Sequence, residues 1–79
     1  MEVRFSKSAL KALLRSDKRE LIREKIEHLA VDPLATSANV KRLTGRVEFR
    51  LRVQDWRVIF RLEDDVLWID EVGPRGSVF

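Results

Sequence analysis

Apolar residues in this chain follow two rhythms. At 2–5, 49–53, 56–62 and 66–72 they recur at every second position, and between 7 and 31 they recur every three or four. Alternation sends successive side chains to opposite faces of a strand, and the longer spacing lines one side of a helix. Glu2-Val3-Arg4-Phe5 predicts a first strand with Val3 and Phe5 inward. Ser6 stands where a helix N-cap is wanted, ahead of a helix over 7–15 that carries Leu10, Leu13 and Leu14 with Ala9 and Ala12. After a break at Ser16-Asp17, Asp17 and Glu20 have capping-box spacing and open a second helix. Its expected buried stripe is Leu21, Ile22, Ile26 and Leu29, with Lys18, Arg19, Arg23, Glu24, Lys25 and Glu27 toward solvent. Asp32-Pro33 stops it, because proline disfavours a helical residue before it. Residues 34–45 read as a connector ending in a Thr44-Gly45 turn. The element order is β-α-α-β-β-β, an α+β class chain with no internal repeat and one domain over 1–79.

The two strands after the connector can be paired on paper. If Gln54-Asp55 is a two-residue hairpin loop, Val53 faces Trp56, Leu51 faces Val58 and Phe49 faces Phe60, all on the side the helices must cover. On the other side Arg52 faces Arg57, Arg50 faces Ile59, and Glu48 faces Arg61 as an expected ion pair. A directly opposed arginine pair is unfavourable by about 0.2–1 kcal/mol without an anion. The Asp64-Asp65 turn leads to the last strand, 66–72, and sets Trp68 opposite Arg61. Trp68 is there either a cation–π cover for the arginines or a platform for a stacked base. Trp56 alternates onto the core side. Gly73-Pro74-Arg75-Gly76 breaks the strand.

Charge sharpens this picture. The chain has 79 residues and a net charge of +3. Seven basic residues between Lys41 and Arg61 stand against Glu48 and Asp55, a local surplus of +5, and six of the seven are arginine. Arginine suits bidentate phosphate contact, so an acidic partner is implied, either nucleic acid or an acidic protein. The alternative is a merely solvated face, since exposed strands carry cations to block aggregation. A domain this small buries only about 60–65% of its unfolded surface, and its stability should be modest. There is no cysteine, which excludes disulfides and thiolate metal sites and fits a reducing compartment. No apolar run approaches the roughly 18 residues that would span a membrane, and no signal-type leader is visible. The expected location is the cytoplasm.

Little other chemistry is on offer. His28 is the only histidine, and is read as structural or solvent-facing. Asp64-Asp65 is turn chemistry. Asp70 and Glu71 are expected on opposite faces, with Asp70 a possible partner for the arginine sheet. No cofactor motif is present and no metal is expected. If the chain cuts nucleic acid, it must do so with arginine and lysine. A ribose 2′-OH must be deprotonated, the phosphorane stabilised and the leaving oxygen protonated. Arginine stabilises charge well, but its pKa lies far above neutrality, so it is a poor acid or base near pH 7. Forcing the RNA into an in-line geometry would then supply much of the rate.

Four stretches resemble the RelE/ParE superfamily of bacterial toxin–antitoxin toxins: Asn39-Val40-Lys41-Arg42-Leu43-Thr44-Gly45, Phe49-Arg50-Leu51-Arg52-Val53, Asp55-Trp56-Arg57-Val58-Ile59-Phe60-Arg61 and Val72-Gly73-Pro74-Arg75. The resemblance covers the whole chain, including the β-α-α start. It implies two helices packed on a curved, mainly antiparallel sheet, and an antitoxin that wraps the toxin and masks its basic face. The RelE branch resembles ribosome-dependent mRNA endonucleases that cut without metal. By that resemblance Arg50, Arg57 and Arg75 are the catalytic residues and Arg52 contacts phosphate. Arg61, Arg46 and Lys41 extend the nucleic-acid contact, and Phe79 stacks on a base. Three positions depart from the pattern. Glu48 replaces a basic residue of some members, Pro74 stands in a Gly-His-Arg motif, and Phe79 replaces a tyrosine and lacks its hydroxyl. The ParE branch implies a DNA gyrase inhibitor instead. The length and the retained Arg50, Arg57 and Arg75 favour RelE. A third reading is an attenuated toxin that mainly binds its antitoxin.

Overall fold

The computed structural model describes residues 1–33 and 39–77. It carries the alternation at 49–62 into the expected hairpin. Strand β3 (Phe49–Val53) pairs antiparallel with β4 (Trp56–Glu63), with Phe49 opposite Phe60, Leu51 opposite Val58 and Val53 opposite Trp56. Gln54 takes a left-handed conformation (φ 52°), which closes the loop in two residues. The Phe49 and Phe60 rings stack at 5.4 Å. Around this hairpin the elements are β1 (Glu2–Phe5), α1 (Lys7–Arg15), α2 (Arg19–Val31), β2 (Val40–Arg42) and β5 (Val66–Pro74). The sheet order is β1-β5-β4-β3-β2, with β1 parallel to β5 and every other pair antiparallel. It is an α+β fold in which both helices cover one sheet face. Their Ala9, Leu13, Ile22, Ile26 and Leu29 meet Leu51, Val53, Val58, Phe60, Leu67, Ile69 and Val72 in a single core.

The helix boundaries follow the sequence, but two details differ. Ser6 caps α1 as expected: its Oγ accepts from the Ala9 N–H at 3.0 Å and donates to the Asp70 carbonyl at 2.8 Å, tying the helix start to β5. Asp17 does not cap α2. The N-cap is Lys18, with no side-chain cap bond, and the buried Ser16 Oγ accepts the Lys18 N–H at 2.9 Å instead. Ser16 is already fixed as the C-cap of α1, so one hydroxyl serves the corner between the helices. Leu10 and Leu14 are 43% and 54% exposed. The buried stripe of α1 is Ala9 and Leu13, one residue per turn, because a helix laid flat on a sheet hides a narrow strip.

Two features of the sheet were not expected. The connector contains β2, a three-residue strand that pairs with β3 at the sheet edge; residues 34–38 lie outside the described part. And β5 runs two residues beyond its expected end, to Pro74, where it has β4 on one side only. Proline is tolerated there because no partner asks for its missing N–H. Within β5 the pairing slips. Ile59 opposes Glu71 while Phe60 opposes Ile69, leaving Asp70 as the extra residue of a β-bulge. The bulge resets the phase, so that Leu67, Ile69 and Val72 all reach the core. The Asp64-Asp65 turn is as expected, with both residues left-handed (φ 53° and 60°).

Two substitutions test these joints. Leu13→Ala, at a fully buried site, should cost about 2–5 kcal/mol. Ser6→Ala should cost about 1 kcal/mol through the lost cap alone. Urea unfolding should show both as lower midpoints at an unchanged slope.

Candidate functional site

The sheet face opposite the helices is built by alternation. Lys41 on β2 lies beside Arg50 on β3, and Arg50 beside Ile59 on β4. One row further, Arg52 on β3 opposes Arg57 on β4, and Arg57 opposes Gly73 on β5. At the other end of β4, Arg61 opposes Trp68, which opposes Arg4 on β1. Ile59 is fully buried yet stands outside the helix-side core. It is an apolar floor between cations, of the kind that long arginine stems cover.

Arg57 is the fixed point. It is only 9% exposed. Its Nη1 donates to the carbonyl oxygens of Gln54 at 2.8 Å and Trp56 at 3.0 Å, so the hairpin loop that sets the register also grips the guanidinium. Burial lowers its pKa, and the positive charges of Arg52, Arg50 and Arg75 push the same way, against a weaker opposing pull from Asp55. Arg75 is placed by the same loop, since its backbone N–H donates to the Asp55 carbonyl at 2.6 Å. Arg50, Arg52, Arg57 and Arg75, three of them predicted by alternation and one far along the chain, therefore converge around one turn. Arg52 and Arg75 are exposed and Arg50 half-buried. Four like charges this close are destabilising until an anion arrives, and guanidinium is the group best shaped to take an oxyanion in two places.

The remaining sequence candidates divide. Lys41 is exposed at the rim beside Arg50. Arg46 sits in the loop between β2 and β3, where Nε and Nη2 reach Glu48 at 3.2 and 3.3 Å. The expected Glu48–Arg61 pair does not form. Glu48 is held by Arg46, two residues before it. Arg61 turns to β5, with Nε 3.0 Å from Asp70 Oδ2, and to Glu63, 2.6 Å from Nη1. The bulge carries Asp70 to it. Arg61 also lies over the Trp68 ring at 4.9 Å, with Arg4 over the same ring at 5.6 Å. Trp68 is thus a cover for cations, as one of its two expected roles had it, and Arg61 is the candidate with the most of its charge already answered. Trp56 is half-buried against the core, and His28 is exposed on α2. Phe79 lies outside the described residues. Missing from the sequence reading were the carbonyls of Gln54, Trp56 and Asp55. A two-residue loop between basic strands was the signal that they would be free to bind.

Among the described residues no helix is long and apolar enough to cross a membrane. A helical hairpin on one face of a five-stranded mixed sheet is an architecture this chain shares with solved RelE-type toxins. The chain superposes on archaeal RelE in the RelE–RelB complex from Pyrococcus horikoshii OT3 with a TM-score of 0.80 at 28% identity, covering 98% of this chain and 97% of that one. The intact E. coli RelBE toxin–antitoxin complex gives 0.76 at 22% identity, covering 92% and 94%. The E. coli DinJ–YafQ complex gives 0.79 at 20%, covering 99% and 96%. The last two show a shared fold. No curated protein matches the chain. The profile of the ParE toxin of type II toxin–antitoxin systems matches residues 3–79, and the chain belongs to this family of toxins, within the RelE/ParE superfamily.

Two measurements check the electrostatics. Arg52→Gln removes the charge facing Arg57 and should raise stability by about 0.2–1 kcal/mol at low ionic strength, the gain shrinking as salt is added. Glu48 behaves oppositely. Its hydrogen bonds from Arg46 hold its pKa below the usual value, so the folded state favours the charged form. The pair therefore adds stability above the ordinary glutamate range, and that stability is lost as pH falls through the lowered value. Glu48→Gln should flatten the acid limb of a stability–pH profile and leave the neutral-to-alkaline limb parallel to wild type.

Proposed function

We propose that this toxin is a ribosome-dependent mRNA endonuclease that needs no metal. The observation that carries the reading is the convergence of Arg50, Arg52, Arg57 and Arg75 around a loop whose carbonyls lock Arg57 in place. A pre-set cluster of donors is what a pentavalent phosphorane requires, because stabilisation is greatest when the groups need not reorganise. In this reading Arg57 and Arg75 flank the scissile phosphate and bear the developing charge and the leaving oxygen. Arg50 and Arg52 hold the neighbouring phosphates, with Lys41 beyond them. The lowered pKa of Arg57 is in the direction that makes it a better proton donor, although a guanidinium stays protonated near neutrality. The 2′-OH must then be brought into line by the bound geometry, and the ribosome is the partner that positions the message. The toxin's other partner is a cognate antitoxin that covers this face. The P. horikoshii RelE–RelB, E. coli RelBE and E. coli DinJ–YafQ structures are of toxin–antitoxin complexes. Both partners belong to the cytoplasm.

The matching family profile bears the ParE name, which favours a second reading, inhibition of DNA gyrase. Toe-printing of an mRNA in a purified translation system separates the two. The endonuclease reading expects a cut at the ribosomal A site. An absent cut together with blocked gyrase supercoiling overturns it. Arg57→Ala and Arg75→Ala should each slow cleavage by about 10²–10³-fold, the cost of one lost donor to a developing oxyanion, and relieve growth inhibition while the thermal melt stays cooperative.

A further inference from the structure

Of the three cations on helix α2, only Arg23 has carboxylates at helical spacing, and of the other two Arg19 is exposed while Lys25 is not. Arg23 has Glu20 three residues before it and Glu27 four residues after it. Lys25 has Leu21, Ile22, His28 and Leu29 at the same offsets and no carboxylate. It was expected to face solvent, yet it is half-buried. Among the described residues, neither Lys25 nor Arg52 forms an ion pair. The two line one open cleft of about 460 Å³, together with Leu21, Asn39, Val53 and Gln54. Among the described residues that line it, the apolar ones are Leu21 and Val53, the charged ones are both positive, and none is acidic. The Arg52 N–H donates to the Asn39 carbonyl at 2.8 Å, joining the walls contributed by β3 and the entry to β2. Arg52 and Gln54 belong equally to the arginine cluster, so the cleft is continuous with the site.

Resting on the RNA reading above, we infer that this cleft takes the nucleotide next to those held by the arginine cluster. Its phosphodiester lies between the Lys25 ammonium and the Arg52 guanidinium, and its base rests against Leu21 and Val53. Lys25 and Arg52 bring two positive charges to one cleft, and a phosphate oxygen supplies the opposite charge that the lining does not. A ribose–base unit meets the apolar wall. The strand then leaves the sheet face over the end of β3 and turns toward α2.

The test is binding of a short single-stranded 2′-O-methyl RNA, which cannot be cut by its own 2′-oxygen, measured over a range of salt. Each phosphate contact contributes about 0.7 to the slope of log affinity against log salt for single strands. Lys25→Gln should reduce the slope by about 0.7, and Lys25→Arg should keep it. Lys11→Gln, an equal loss of charge on the exposed side of α1, should leave it unchanged. An unaltered slope in Lys25→Gln overturns the inference, including the case where that variant weakens only the complex with the antitoxin. Equal losses in Lys25→Gln and Lys11→Gln overturn it as well, because net charge would then be the cause. If wild type itself binds no RNA, the RNA reading falls and the cleft with it.

Discussion

The open face depends on one short loop. Because Gln54 adopts a left-handed turn, the hairpin closes in two residues, and the register of β3 against β4 has no freedom left. That register puts three aromatic or aliphatic pairs on the helix side, and by the same stroke it sets Arg52 against Arg57. A shift of one residue would exchange the faces and bury the cations. The hydrophobic core therefore enforces the charge cluster. The repulsion is small beside the burial of Leu51, Val53, Val58 and Phe60, each worth about 1.5–3 kcal/mol, so the sheet can hold the arginines together with no ligand bound. The loop then turns its own carbonyls to Arg57 and to the backbone of Arg75, and organises what it has forced together.

How much of this was legible follows from the strength of each local signal. The hairpin could be read residue by residue, since a period of two on both sides of a two-residue loop admits one pairing. Ser6 was legible because a cap depends on its nearest neighbours alone. Strand β2 was not. Val40-Lys41-Arg42 has too few residues to show alternation, and it is a strand only because β3 offers it an edge. Asp17 looked like a cap by spacing, but Ser16 was already fixed by the end of α1 and reached the free N–H first. Leu10 and Leu14 fit a helix stripe wider than the one a sheet covers.

The arginine face was legible in composition and only partly in detail. Extending the hairpin pairing one residue past Phe49 sets Glu48 against Arg61 on paper, and that made a pair look natural, although β3 begins only at Phe49. Each found a nearer partner: Arg46 two residues before Glu48, and Asp70 carried to Arg61 by the bulge. The bulge itself left a trace in the sequence. Asp70 and Glu71 are adjacent polar residues between Ile69 and Val72, a break in alternation that an extra residue explains. Lys25 left a weaker one, since it shares with Arg19 the lack of a carboxylate a turn away on α2. The role of Arg75 could not be placed by spacing at all, because it arrives through the path of β5.

That path has a dynamic consequence. Upstream of the bulge, residues 66–69 of β5 are held between β1 and β4; downstream, 71–74 have β4 alone. The strand is thus two segments of unequal security joined at Asp70. Segments bonded on one side open at lower free energy than those bonded on both. Local opening of the downstream half would carry Arg75 away while Arg50, Arg52 and Arg57 stay in register on the hairpin. The fourth arginine is thus carried on the less secure half of the strand, tied to the hairpin by the β4 pairing and by its own N–H bond to the Asp55 carbonyl.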